Sequence, residues 1–165
     1  MFNRILLAVD NSESSDVALS FAIALAAQNS SSVRVVHVNE YLVGGRGFTV
    51  ESRAEAVGRL EDAVSALRKA GVPTEGSLYL TSCFGVDARI ASAAHDWSAD
   101  VIVLGSRRRR RFARLGGKGM RERVTSLTSL PVLTAPAPLE VRTGSGAGLA
   151  GRLGAPLPDF PAISI

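Results

Sequence analysis

The sequence has one cysteine, Cys83, in 165 residues. Neither an intramolecular disulfide framework nor a zinc site built on several thiolates is open to it, and so few thiols fit a reducing, cytoplasmic setting. Histidines number two, His37 and His95, and neither sits in a pattern with metal-ligand spacing, so no metal is expected. No stretch approaches the roughly 20 apolar residues that span a bilayer, which argues against an integral membrane protein. The opening MFNRILLAVD reaches Asp10 too soon for a signal h-region and has no small-residue cleavage site behind it. The phosphate loop GxxxxGK[ST], the dinucleotide fingerprint GxGxxG and the nucleophile elbow GxSxG are all missing.

What is present is ordinary globular material with one unusual segment. Apolar residues make up 46% and charged residues 21%, enough for one domain with its own core. The net charge is +4, but nine basic residues crowd between Gly105 and Thr125: Arg107, Arg108, Arg109, Arg110, Arg111, Arg114, Lys118, Arg121 and Arg123. Glu122 is the single acid there, which leaves ten basic against fourteen acidic residues elsewhere. The basic character is therefore local, and local charge of this density implies an anionic partner.

Arg4 to Asp10 is a continuous apolar run closed by a carboxylate, the pattern of a parallel strand buried on both faces. The polar turn Asn11 to Ser15 leads into a helix over Asp16–Gln28, with Val17, Ala18, Phe21, Ala22 and Leu25 at helical spacing. Val33–Val38 forms a second strand, and Tyr41 to Phe48 a glycine-rich loop, either mobile or folded over a ligand. Thr49–Ala70 is an amphipathic helix whose stripe is Ala56, Leu60, Ala63, Val64 and Leu67, stopped by Gly71 and Pro73. A third strand over Glu75–Thr81 places Leu78 and Leu80 on one face. Val86–Trp97 reads as a helix with Ile90, Ala93, Ala94 and Trp97 inward, Asp100–Leu104 as a fourth strand, Gly119–Leu130 as a helix and Pro131–Thr134 as a fifth strand. Alternation at this spacing predicts an α/β fold: an open five-stranded parallel sheet with helices on both faces. From Pro136 the composition turns to Gly, Pro and Ala without a period. Residues 1–136 are thus one domain, and 137–165 a tail, either flexible or docking a partner through Leu157–Ile165.

In an open parallel sheet, ligands bind beyond the carboxyl ends of the strands where the strand order reverses. With order 3-2-1-4-5 the reversal falls between the first and fourth strands, joining the Asp10 turn to the Gly105 corner. Asp10 either accepts hydrogen bonds from a ribose or adenine amine, or caps the following helix. The run VIVLGSRRRRRFARLGGKGMRERV has the order strand, glycine, loop, helix start, which presents N–H groups to an anion. Three readings of its arginines stand: a solvated basic face, a seat for nucleotide phosphates, or a dock for an acidic protein surface, RNA or anionic lipid. Only Phe112 interrupts the run, so sequence-specific nucleic-acid recognition, which stacks bases on interleaved aromatics, is not expected. His37 reads as a satisfied core histidine, His95 as a contact at a helix C-terminus, and Cys83 as a small buried hydrophobe.

RILLAVDNSESSDVAL, Val33–Val38, the turn from Gly85 to Ile90, the strand Ala99 to Ser106, and Val124 through Val132 together resemble the universal stress protein family across about residues 2–136. The resemblance implies a dimer through the last strand and, in one branch, ATP or another adenine nucleotide between strands one and four. That branch carries G-x2-G-x9-G-[ST] after strand four. Here the four places hold Gly105, Arg108, Lys118 and Gly119, so only the first glycine is kept. Arg108 brings a guanidinium fork in place of close backbone approach. Carried over residue by residue, the implied nucleotide site is Val9, Asp10, Val38, Gly105, Ser106, Arg108, Lys118, Gly119 and Met120. Pyrophosphatase-type relatives open with SGGxDS after the first strand; DNSESS stands there instead. The expectation is a non-catalytic stress or signalling domain that binds an adenine nucleotide. The alternative is an interaction module docking an anionic partner through Arg107, Arg109, Arg110, Arg111, Arg114 and the tail.

Overall fold

The computed structural model describes residues 1–41, 48–106 and 119–135. Within them the chain runs β1 (Arg4–Val9), α1 (Glu13–Asn29), β2 (Ser32–Tyr41), α2 (Arg53–Lys69), β3 (Thr74–Ser82), α3 (Val86–Asp96), β4 (Val101–Leu104), α4 (Met120–Thr125) and β5 (Val132–Thr134). The five strands form one sheet in the order β3-β2-β1-β4-β5. Every pairing is parallel: Leu7 lies beside Val35 on one side and Val103 on the other, and Leu104 pairs Thr134 at the edge. The chain winds outward from β1 to β3, then returns past β1 to β4, so the order reverses between β1 and β4.

Alternation along the central strands divides the core in two. Ile5, Leu7, Val33, Val35, Val101 and Val103 pack with Ala18, Ala22 and Ala26 of α1 and with Ala63, Val64 and Leu67 of α2. Leu6, Val36, Ile102 and Leu104 pack on the other face with Val86, Ile90, Ala93 and Ala94 of α3 and Val124 of α4. A strand buried on both faces cannot alternate polar and apolar residues, which is why β1 and β4 read as unbroken apolar runs. On edge strand β3, Tyr79 packs into the second cluster, whereas Leu80 is 61% exposed.

Local chemistry shifts several helix ends from their expected places. α1 begins at Glu13, three residues before its expected start at Asp16, and its buried stripe is small: Ser14, Ser15, Ala18, Ala22 and Ala26. Val17, Phe21 and Leu25 flank it, half-buried. α2 begins at Arg53, because Ser52 and Glu55 close a capping box in which each side chain takes the other's backbone N–H. Thr49 lies before it, bridged to Tyr41. α4 ends at Thr125, where a serine- and threonine-rich stretch takes over. Trp97 caps α3, half-buried, with the guanidinium groups of Arg4 and Arg34 stacked 5.5 and 5.1 Å from its ring centre. None of the helices among the described residues is long and apolar enough to cross a membrane.

Candidate functional site

The reversal between β1 and β4 opens a cavity of about 280 Å³ at the carboxyl ends of the strands. Seven of the expected site residues line it: Val9, Asp10, Val38, Gly105, Ser106, Gly119 and Met120. Arg108 and Lys118, and the docking candidates Arg107, Arg109, Arg110, Arg111 and Arg114, lie outside the described residues, as do the tail and Gly44, Gly45, Arg46 and Gly47. The floor is apolar, made by Ala8, Val36, Val86, Ile90 and Leu104. Sequence reasoning missed the rim: Ser14, Ser15, Glu40, Arg121 and Glu122 also face the space. Strand alternation carries Glu40 there from Val36 and Val38, a signal available in the sequence. The serines carried no comparable signal, because their burial depends on the turn before them.

That turn is built on Asp10. Its Oδ1 accepts the Ser12 backbone N–H at 2.9 Å, the Ser15 hydroxyl at 2.7 Å and the Ser12 hydroxyl, while its own N–H donates to Ser15 Oγ at 2.8 Å. Ser12, not Asp10, is the N-cap of α1. The capping alternative for Asp10 is therefore replaced by another role: the carboxylate organises the turn that sets the cap, and it borders the cavity.

The opposite wall differs. A Cβ placed on Gly105 would lie 2.8 Å from the carbonyl oxygen of Ser14 and 2.9 Å from its carbon. Glycine is required here because β4 ends against the first turn of α1, so the protein's own packing accounts for it. Beside it, Ser106 Oγ is buried and has no hydrogen-bond partner among the described residues. A buried hydroxyl without a partner is costly, and this one borders the cavity. Gly119 is the N-cap of α4 in extended backbone, where a Cβ would meet only the movable end of Glu122. Arg123 anchors α4 to α3 through Asp87 at 3.0 Å.

The described rim carries three carboxylates, Asp10, Glu40 and Glu122, against one cation, Arg121. It is a surface for hydrogen-bond donors and an apolar ring rather than for phosphate. Positive charge belongs instead to residues 107–118, the stretch of sequence between Ser106 and Gly119. Among the described residues no group of three or more His, Cys, Asp or Glu side chains is placed to hold a metal. His95 is 93% exposed on its side chain, 3.8 Å from Asp96, and Cys83 is half-buried rather than buried.

The Universal stress protein family model matches residues 1–136, and the chain belongs to that family. A universal stress protein from Archaeoglobus fulgidus is 29% identical, with a TM-score of 0.65 over 82% of this chain and 100% of that one. The universal stress protein from the same organism in complex with dAMP is 28% identical, with a TM-score of 0.62 over 81% and 98%. A family protein from Burkholderia pseudomallei is 26% identical, with a TM-score of 0.64 over 82% and 96%. No curated protein matches the sequence.

Proposed function

We propose that this universal stress protein domain is a non-catalytic receptor for an adenine nucleotide, held in the cavity between β1 and β4. The observation that carries the reading is the convergence of Val9, Asp10, Val38, Gly105, Ser106, Gly119 and Met120 on one apolar-floored cavity whose buried Ser106 hydroxyl lacks a partner among the described residues. An adenine ring suits the apolar floor, and ribose hydroxyls or the adenine amine donate to the acidic rim. Ser106 Oγ gains a partner in the bound state. Phosphates fall to the basic segment, with Arg108 and Lys118 at the places where the family's nucleotide-binding branch has glycines. The similar protein whose structure holds dAMP supports the ligand class. Residues 1–136 make the receptor, and β5, an edge strand among the described residues, pairs with a second copy.

The test is thermal and calorimetric titration with AMP, dAMP, ATP and cyclic AMP. A ligand present at about 100 Kd raises stability by about 2.7 kcal/mol. No shift with any of the four at millimolar concentration overturns the reading.

A second reading rests on the charge segregation: nine basic residues in one short stretch of a chain otherwise acidic on balance. On it, the arginine loop docks an anionic protein surface. Neutralising Arg107 to Arg111 then abolishes partner capture while nucleotide-free stability is unchanged.

A further inference from the structure

Behind the cavity, on the other face of the sheet, two side chains hold the backbone that carries Asp10. His37 alternates with Val36 and Val38, so it points away from the cavity and toward the α1 and α2 layer, where it is wholly buried. Its Nδ1 lies 2.9 Å from the carbonyl oxygen of Val9. A carbonyl only accepts, so Nδ1 is the donor in this contact. Arg59, on α2, donates from Nε to the carbonyl oxygen of Asp10 at 2.9 Å and from Nη2 to Asp16 of α1 at 2.8 Å. The two successive carbonyls at the end of β1 are thus each gripped by a different element.

The grip has an anchor. His37 Nε2 meets Glu51 Oε1 at 3.0 Å, and the Glu51 carbonyl accepts from Asn39 Nδ2 at 3.0 Å. Glu51 stands in the β2–α2 connection, immediately before the capping box of α2. Its second oxygen, Oε2, and Asn39 Oδ1 are buried without partners among the described residues. Glu51 is therefore tied to the sheet through one carboxylate oxygen and its backbone, and to the turn through His37.

We infer that His37, Arg59 and Glu51 are positioning residues for the nucleotide turn, and that Glu51 sets nucleotide affinity through His37 without itself lining the cavity. The inference rests on the cavity being the nucleotide site. Orientation of the Val9 and Asp10 peptide units decides where the Asp10 carboxylate points, and a group held from behind loses little freedom when ligand arrives.

Two substitutions at one position separate positioning from core filling. Asparagine places its amide nitrogen near Nδ1, and glutamine near Nε2. His37→Asn keeps the donor to Val9 and drops Glu51; His37→Gln does the reverse. dAMP affinity measured by calorimetry is expected to stay within about threefold in His37→Asn and to fall tenfold or more in His37→Gln. Affinity that instead follows melting temperature across the pair, irrespective of the Val9 donor, overturns the inference. Arg59→Met, at a partly exposed position, tests the second carbonyl without opening the core, and a tenfold loss is expected. Amide hydrogen exchange of Ser12 and Ser15 in the nucleotide-free proteins is the independent readout: faster in His37→Gln and Arg59→Met than in wild type and His37→Asn. If wild type binds no nucleotide, the receptor reading fails while this exchange pattern still decides the positioning roles. Equal exchange in all four proteins overturns them.

Discussion

The two lips of the cavity are built on opposite plans. On the β1 side Asp10 and the serines of the turn answer one another: Asp10 takes Ser12 and Ser15, and its carbonyl is held by Arg59. On the β4 side Gly105 is pressed against the Ser14 backbone, and the Ser106 hydroxyl next to it has no partner among the described residues. The first lip is organised before a ligand arrives, and on the proposed reading the second is completed by one. A self-satisfied wall gives the site its shape, whereas an unsatisfied group gives it a reason to bind.

The largest effect is expected where the lips touch. Gly105→Ala forces a Cβ to within 2.8 Å of backbone atoms that cannot swing aside as a side-chain end would. Overpacking of this kind costs about 1–3 kcal/mol, and the upper end applies because backbone must move. Urea denaturation should show that loss together with abolished nucleotide binding. Wild-type stability in the variant would mean that the lips are not in contact. Next comes Asp10→Ala, which strips one acceptor from three donors and should cost about 2 kcal/mol. The matching readout is fast exchange of the Ser12 amide, with affinity reduced alongside stability.

These expectations show where sequence and structure part. The strands were legible because burial on both faces leaves an unmistakable apolar run, as in β1 and β4. The cavity was legible because strand order alone places Asp10 against Gly105. The start of α1 was not, since serines at positions 14 and 15 favour no helix until Asp10 and Ser12 fix the turn. Nor was the His37–Glu51 pair, whose two residues meet only because the connection folds back beside β2. Gly105 was read as the first glycine of the nucleotide motif, and its closeness to the Ser14 backbone is a packing reason that the sequence did not reveal.

A gentler probe compares the far ends of the same two strands. There Asp100 accepts the Arg4 N–H at 2.9 Å and the Asn3 N–H at 2.6 Å, and its own N–H donates to the Arg4 carbonyl, stapling β1 to the start of β4. The Arg4 amide, then the Asn3 amide, hold this carboxyl below its ordinary value of 3.8. A depressed folded value means stabilisation that is full above pH 3.8 and fades as pH falls through the folded value. The stability difference between wild type and Asp100→Asn should therefore shrink on acidification in that range, measured by denaturant titration. A difference that grows as pH falls would reverse the assignment. Nucleotide affinity at neutral pH should be the same in both proteins, because the staple lies at the opposite end of the strands from the lips.

The smallest effect on stability is the most telling for the comparison. Ser106→Ala removes a buried hydroxyl that has no partner among the described residues, so the nucleotide-free protein should be unchanged or more stable by up to about 1 kcal/mol. If that hydroxyl is completed by the ligand, the same substitution weakens dAMP binding, by about tenfold for a lost hydrogen bond of ordinary strength. Stability and affinity then move in opposite directions, which no change on the Asp10 lip can reproduce, since there both fall together. Melting curves with and without dAMP read both quantities from one sample. Should Ser106→Ala lose stability without ligand, its hydroxyl is already satisfied within the protein and the two lips are alike. Should affinity survive the change, the β4 lip contributes shape alone, and the grip on the nucleotide lies with the Asp10 turn.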